Sequence, residues 1–334
     1  MKIGKGTYVF SKKPLIISHA AVVGKKEGEG PLKNEFDYIF PDSKADADSW
    51  EKSESNLHHR AVSLAIEKSG LKKDEIDLIY SGDLLNQCSG TTFSIKDMGI
   101  PFIGIYGACS TMALSMLVSA ITVESGLCKK VVAATSSHFC SAEKQFRLPL
   151  EYGGQKPPTA QWTATAAGAC VISDKGKGVK ITKGTIGTIE DLGVKDSNNM
   201  GAAMAPAACE TLHKFLDDTR TKPEEYDLII TGDLGAVGSR LMKDLLKREY
   251  KTDIDLNYTD CGLMLYNMDK QDVNSGGSGC GCSGAVICSN ILNRMEKGEL
   301  KKVLFIGTGA LLSSVSPLQK ETVPGIAHLV CLES

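Results

Sequence analysis

Asp74-Glu75-Ile76-Asp77-Leu78-Ile79-Tyr80-Ser81-Gly82-Asp83-Leu84 recurs 150 positions later as Glu224-Glu225-Tyr226-Asp227-Leu228-Ile229-Ile230-Thr231-Gly232-Asp233-Leu234, with seven of eleven positions identical. Chance rarely supplies such a match, so the chain carries an internal duplication. Each copy is a short apolar run that ends in Gly-Asp-Leu, the pattern of a buried strand running into a turn.

The similarity extends on both sides. Before the first copy, Leu57, Ala61, Leu64 and Ala65 recur at helical spacing, with Asp48 and Glu51 placed as a capping pair and Gly70 as the stop. Before the second, Leu212, Phe215 and Leu216 repeat the stripe. After the first copy, Cys109-Ser110-Thr111-Met112-Ala113 opens a helix that stops at Ser125-Gly126 and leads to the strand Lys129 to Ala134. After the second, Cys282-Ser283-Gly284-Ala285-Val286 leads through Lys297-Gly298 to the strand Lys301 to Ile306.

Both stretches read as strand, helix, strand, with apolar runs that imply parallel strands covered on both faces. The helix from Ser110 to Val123 is apolar on nearly every side and is predicted to be buried between layers. A duplicated α/β half packed face to face through such helices predicts five layers in the order α, β, α, β, α. The halves are assigned to residues 1–180 and 181–334, with an insertion at 24–49 and a cap loop at 136–160.

Lys+Arg 38 against Asp+Glu 40 gives a net charge of −2, which excludes an overall basic field for nucleic acid. The eleven Cys are odd in number and sit mostly in apolar or small-residue contexts, so they read as free thiols. Cys261, Cys280 and Cys282 lack the spacing of a zinc site, and no metal is expected. Neither a signal peptide nor an uninterrupted apolar span is evident, so the expected location is the cytosol or a peripheral position on a membrane.

The block Gly107-Ala108-Cys109-Ser110 before a buried helix, together with Gly307-Thr308-Gly309-Ala310 before a last strand, resembles the thiolase-like superfamily of thiolases and ketoacyl synthases. More closely, Gly82 to Gln87, Gly107 to Thr111, Ser136 to His138, Ala142 to Arg147, Glu151 to Pro157 and Gly307 to Ser313 are similar to the stage V sporulation protein AD family. That resemblance implies a thiolase-like fold and a protein that binds dipicolinate (pyridine-2,6-dicarboxylate), free or as its calcium chelate, for transport into the spore. It also implies membrane proteins of the same system as partners and a peripheral place at the spore inner membrane. The homodimer common in the superfamily is left open.

Cys109, between a strand and a helix start, is placed as a nucleophile whose thiolate the helix end would favour. A condensing enzyme also needs His or Asn from two loops of the second half. Here those loops are Thr231-Gly232-Asp233 and Ser275 to Gly281, and none of the six His (19, 58, 59, 138, 213, 328) lies in either. Asp233 and its twin Asp83 are read as sharing one structural role in their turns.

The resemblance therefore implies a pocket for a flat dianion, without turnover or cofactor, its carboxylates met by cations and N–H donors. The residues assigned to it are Cys109, His138, Lys144, Arg147, Gln155, Lys156, Asn86, Gly277 and Ser278, with Phe146 or Tyr152 stacking on the ring. The alternative is an active acyl-thioester condensing enzyme or acyltransferase that uses Cys109 with a coenzyme A thioester. The insertion at 24–49, with Phe36, Tyr38 and Phe40, is expected to form a lid or partner surface.

Overall fold

In the computed structural model, which describes residues 1–146 and 156–334, the apolar runs found in the sequence are the inner strands of two equivalent sheets. In the first, Lys130–Ser137 pairs in parallel with Leu78–Gly82, which pairs in parallel with Phe102–Gly104. Ala166–Ser173 and Leu15–Val23 continue the other side as antiparallel neighbours. In the second, Lys302–Ala310 pairs in parallel with Leu228–Thr231, then Tyr258–Asp260, and Gly325–Glu333 and Val179–Ile186 follow antiparallel. Order and sense agree strand for strand, as a duplication requires.

The two sheets meet edge to edge where Val179 pairs with Ile16 and Lys180 with Leu15. The expected seam at 180/181 lies inside Val179–Ile186, the strand that opens the second half.

Three apolar cores fill the spaces between layers. Helix Trp50–Lys68 covers the outer face of the first sheet, where Leu57, Ala61, Val62 and Ala65 pack on Ile79, Val132 and Ala167. Helices Met200–Thr219 and Gly235–Tyr250 cover the second, with Leu212, Phe215 and Met242 against Leu304 and Ile306. Between the sheets lie Thr111–Ser125 and the helical run from Cys280 to Glu296, whose Met112, Met116, Ile287 and Ile291 share one core with Val131 and Phe305. The five-layer order expected from the sequence is the observed one.

Among the described residues one segment, Ala108–Ser125, is long and apolar enough to cross a membrane, and it is this buried central helix. It stops at Gly126, whose φ of +82° suits glycine.

Helix Trp50–Lys68 departs from its predicted start. Ser49 is the cap, its Oγ accepting the Lys52 N–H at 3.3 Å, one position after the expected Asp48. Glu51 turns instead to Lys144. A serine hydroxyl caps as well as a carboxylate, so the local choice fell to the residue whose backbone was already extended.

The insertion at 24–49 is folded onto the body. It begins with the short helix Lys25–Gly28, adds the strand Tyr38–Ile39 beside Val22 and Val23, and buries Phe40 and Ala45 in the outer core. Glu27, almost wholly buried, accepts hydrogen bonds from the Tyr266 hydroxyl and from the Thr165 N–H at 3.0 Å. Its aromatics are structural: Phe36 and Tyr38 pack on the cores, and the Arg60 guanidinium lies 3.6 Å over the Tyr38 ring.

Candidate functional site

Cys109 sits in a tight turn that delivers the chain into helix Thr111–Ser125. Ala108 takes a φ of +49°, rare for a residue with a side chain, and the turn is tied by Ser110 Oγ donating to Gly107 O and Thr111 Oγ1 to Ala108 O, both at 2.6 Å. Gly307-Thr308-Gly309 is the end of strand Lys302–Ala310 pressed against this turn, not a turn itself. A Cβ on Gly309 would stand 2.5 Å from Gly107 O, and one on Gly307 2.9 Å from Ser110 O, so these glycines serve close packing.

The thiol is not activated. Burial pushes the Cys109 thiol well above its ordinary range, and the negative charge of the nearby Asp233 carboxylate pushes it further. That overturns the expectation of a favoured thiolate: one helix end is outweighed by desolvation and a neighbouring negative charge. Burial likewise raises Asp233 to about 7, although Thr308 Oγ1 donates to it at 2.7 Å, the Gly279 N–H at 2.8 Å and Ser278 Oγ at 3.1 Å.

The twin aspartates also differ from expectation. Asp83 binds within its own half, accepting the N–H groups of Leu85 at 2.8 Å and Thr91 at 2.7 Å. Asp233 instead accepts from Ser278 Oγ and Thr308 Oγ1 of its own half and lies near Cys109 of the first. The turn-binding task in the second half passes to Asp260, which accepts the N–H groups of Leu234, Gly235 and Gly262.

Cys109 opens into a cleft enclosing about 480 Å³ of empty space, part of it open to solvent. Tyr106, Phe146, Leu84, Leu312, Thr163 and Ser278 contribute to its walls, and Glu143 is the charged residue among the described lining. Helix Phe139–Phe146 forms one wall through Ala142, Glu143 and Phe146. Behind this helix, Glu54 accepts Ser141 Oγ at 2.6 Å and Ser136 Oγ at 3.2 Å, and burial together with nearby Asp83 raises its carboxyl.

The structure gathers some of the assigned residues and disperses others. Cys109 and Ser278 line the cleft. Asn86 lines an adjoining cavity. Lys156 reaches its rim, with Nζ 2.7 Å from Glu143 Oε1 and 4.7 Å over the Phe139 ring. Gly277 instead pairs with Trp162 in a short parallel strand, and its carbonyl accepts the Gln161 amide at 2.8 Å.

His138 is fully buried away from the cleft, Nε2 donating to Ser43 O at 2.7 Å and Nδ1 accepting the Cys140 N–H at 3.1 Å, with its ring stacked on Trp50. Both nitrogens are used in bracing the helix against the insertion, so it is not free to bind a carboxylate. Lys144 points outward to Glu51. Arg147, Tyr152 and Gln155 lie outside the described residues.

The insertion does not cover the Cys109 cleft. Its Lys25, Lys26 and Ser43 line a separate cavity bordered by Phe139 and Cys140, where Lys26 lies 3.5 Å over Trp162 and Trp162 stacks on Phe139 at 3.8 Å. Sequence reasoning missed Tyr106 as a wall residue and misjudged Asp233. Tyr106, three positions before Cys109, was within reach of the motif; the Asp233 contact depends on how the halves pack.

A duplicated five-layer body with a cysteine at the start of its central helix is the thiolase-like fold. Solved structures agree: 3-oxoacyl-[acyl-carrier-protein] synthase III from Aquifex aeolicus VF5 aligns at TM-score 0.57 and 14% identity over 96% of this chain and 100% of its own. Cerulenin-bound OleA of Xanthomonas campestris aligns at 0.61 and 12% over 98% of each chain. Acetyl-CoA acetyltransferase from Syntrophomonas wolfei aligns at 0.59 and 13%, over 98% of this chain and 100% of that one. At such identities the likeness is one of fold. The family model for stage V sporulation protein AD matches residues 4–333, and the chain belongs to that family. Stage V sporulation protein AD of Bacillus subtilis (strain 168) is 44% identical over 330 residues, covering 99% of this chain and 97% of that protein.

Proposed function

We propose that this protein is a non-catalytic binder of dipicolinate in spore formation, holding the ligand in the Cys109 cleft and passing it to membrane proteins at the spore inner membrane. The observation that carries the non-catalytic part is the buried Cys109 thiol with the Asp233 carboxylate near it. A condensing enzyme needs a thiolate and a donor for the developing oxyanion, and here the group beside the sulfur is an acceptor that opposes ionisation. The resemblance of the whole chain to a sporulation family supports the choice of ligand. The aromatic rings of Tyr106 and Phe146 on the cleft wall suit a flat heteroaromatic, and the hydroxyl of Thr163 can donate to a carboxylate.

Isothermal calorimetry with dipicolinate tests the binding claim: saturable heat is expected, and no heat at millimolar ligand would sink it. The competing reading is an acyl-thioester enzyme. Intact-mass spectrometry after incubation with acetyl- or malonyl-coenzyme A is expected to show no adduct, and an acyl group on Cys109 would replace binding by catalysis.

A further inference from the structure

At the end of the molecule opposite the Cys109 cleft, three loops lie side by side. Residues 11–14 lead into Leu15–Val23, residues 126–129 lead from the buried helix Thr111–Ser125 into Lys130–Ser137, and residues 174–178 join Ala166–Ser173 to Val179–Ile186. Sheet register brings them together: Ser173 pairs with both Lys130 and Leu15, and the Asp174 N–H donates to Lys129 O at 3.0 Å. Lys12 closes the row, since a Cβ on Gly126 would stand 3.3 Å from its Nζ. The helix of 15 residues between this face and Cys109 spans about 22 Å.

Two features distinguish the face. Its loops carry five exposed lysines, Lys12, Lys13, Lys129, Lys175 and Lys177, none of them in an ion pair among the described residues. The nearest carboxylates are turned to backbone: Glu124 accepts the Ser11 and Lys12 N–H groups at 2.8 and 2.9 Å, and Asp77 those of Lys129 and Lys130 at 2.7 and 2.9 Å. Even with Asp174 of the third loop the cations outnumber the acids, a local positive excess on a chain of net charge −2.

The second feature is Leu127, 83% exposed beside Lys12 and Lys129. The internal duplication supplies a comparison. Gly126-Leu127-Cys128-Lys129-Lys130 corresponds to Gly298-Glu299-Leu300-Lys301-Lys302, where the exposed position holds Glu299, 3.4 Å from Arg294, and the next one the buried Leu300. A turn that meets only water favours the glutamate, and the first half holds out a leucine among lysines instead.

Resting on the placement at a membrane given above, and not on the ligand, we propose that this face docks on an anionic phospholipid bilayer. Leu127 enters the boundary between headgroups and acyl chains, and the five lysines meet lipid phosphates. Each lysine held near an anionic membrane adds about fivefold to partitioning, and the effect fades beyond roughly 8 Å at physiological salt. A soluble polyanion would satisfy the lysines but gain nothing from the apolar side chain beside them, whereas a bilayer takes up both. Docked in this way, the molecule turns its Cys109 cleft to the aqueous side, open for loading.

The test is co-sedimentation of the full chain with vesicles of phosphatidylcholine alone and of equal parts phosphatidylcholine and phosphatidylglycerol. Partition to the anionic vesicles is expected to be at least tenfold stronger and to collapse in half-molar salt. Lys129→Glu with Lys175→Glu should weaken it at least tenfold and Leu127→Ala at least threefold, with melting temperatures and dipicolinate heats equal to the parent's. Lys195→Glu with Lys320→Glu makes the same change of net charge on loops at the cleft end, and should leave partition unchanged. No preference for anionic vesicles overturns the docking face, and so does an equal loss in both double variants, which would reflect net charge alone. Loss in Lys129→Glu with Lys175→Glu but none in Leu127→Ala overturns the lipid in favour of a soluble polyanion. Dipicolinate heat without vesicle partition overturns the docking face and leaves the ligand reading intact; partition without heat does the reverse.

Discussion

The carboxylate of Asp233 lies close enough to the thiol of Cys109 to oppose its ionisation, and it accepts the Gly279 N–H at 2.8 Å. Removing a neighbouring negative charge lowers a thiol's pKa, and each unit is a tenfold rise in thiolate. Asp233→Asn is therefore expected to raise the rate of Cys109 alkylation by iodoacetamide at pH 8 about tenfold, followed by peptide mass spectrometry to separate it from the half-buried Cys128 and Cys140. An unchanged rate would mean that burial alone silences the thiol.

The same burial sets a pH dependence. Asp233 is raised to about 7 and Asp260 to about 6 from 3.8, and Glu54 is also raised by burial, with Asp83 beside it. A carboxyl whose folded pKa is raised holds its proton longer in the folded chain than in the unfolded one, so stability declines as pH climbs from about 4 to 7. Burial lowers His58, His138 and His328, which favours the folded chain as pH rises through 6.5 and opposes the carboxyls, so their part is read as the difference in melting temperature between the parent and a carboxyl variant from pH 5 to pH 8. Glu54→Gln keeps an acceptor for Ser141 and offers an N–H toward Asp83, so it should flatten this slope and stabilise at pH 8; an identical slope in the variant would place the effect at other groups.

Most of the scaffold was legible because it is written in local signals. The repeated Asp-Leu-Ile and Gly-Asp-Leu positions, the all-round apolar helix after Cys109 and the Val-rich strands each state their burial directly, and both sheets follow from them. The site was less legible. Asp83 and Asp233 are identical in sequence context yet serve different partners, because only Asp233 faces the Cys109 turn across the packed halves. His138 follows a core strand like a binding residue, but its ring is consumed by Ser43 and Cys140, contacts that depend on where the insertion folds.

Close packing at the centre gives a stability test. Gly168 in strand Ala166–Ser173 faces Gly284 of helix Cys280–Val286, and a Cβ at 168 would stand 2.2 Å from Gly284 O. Since backbone cannot swing aside, Gly168→Ala must separate the sheet from the helix. Overpacking of this kind costs roughly 1–3 kcal/mol or more. Gly70→Ala, in open space but at φ +72°, is expected to cost about 1 kcal/mol from its backbone alone, so chemical denaturation should rank Gly168→Ala as the more damaging change. A reversed order would show that the layers can part without loss.

Glu27 supplies the last test, because it fastens the insertion to both halves. Its Oε1 accepts from Tyr266 in the second half and from the Thr165 N–H in the first, while burial raises the carboxyl above its usual range. Glu27→Ala strands a buried hydroxyl and a buried N–H, each costing about 1–3 kcal/mol when left unmet. Glu27→Gln keeps the accepting oxygen and adds no charge, so its melting temperature should stay near the parent's while that of Glu27→Ala falls. Trp162 fluorescence reports the local consequence, since Lys26, the residue before Glu27, lies over its ring. A change in emission is expected for Glu27→Ala and not for Glu27→Gln. Equal melting temperatures for the two variants would mean that the insertion is held by its apolar contacts at Phe40 and Ala45 rather than by this carboxyl.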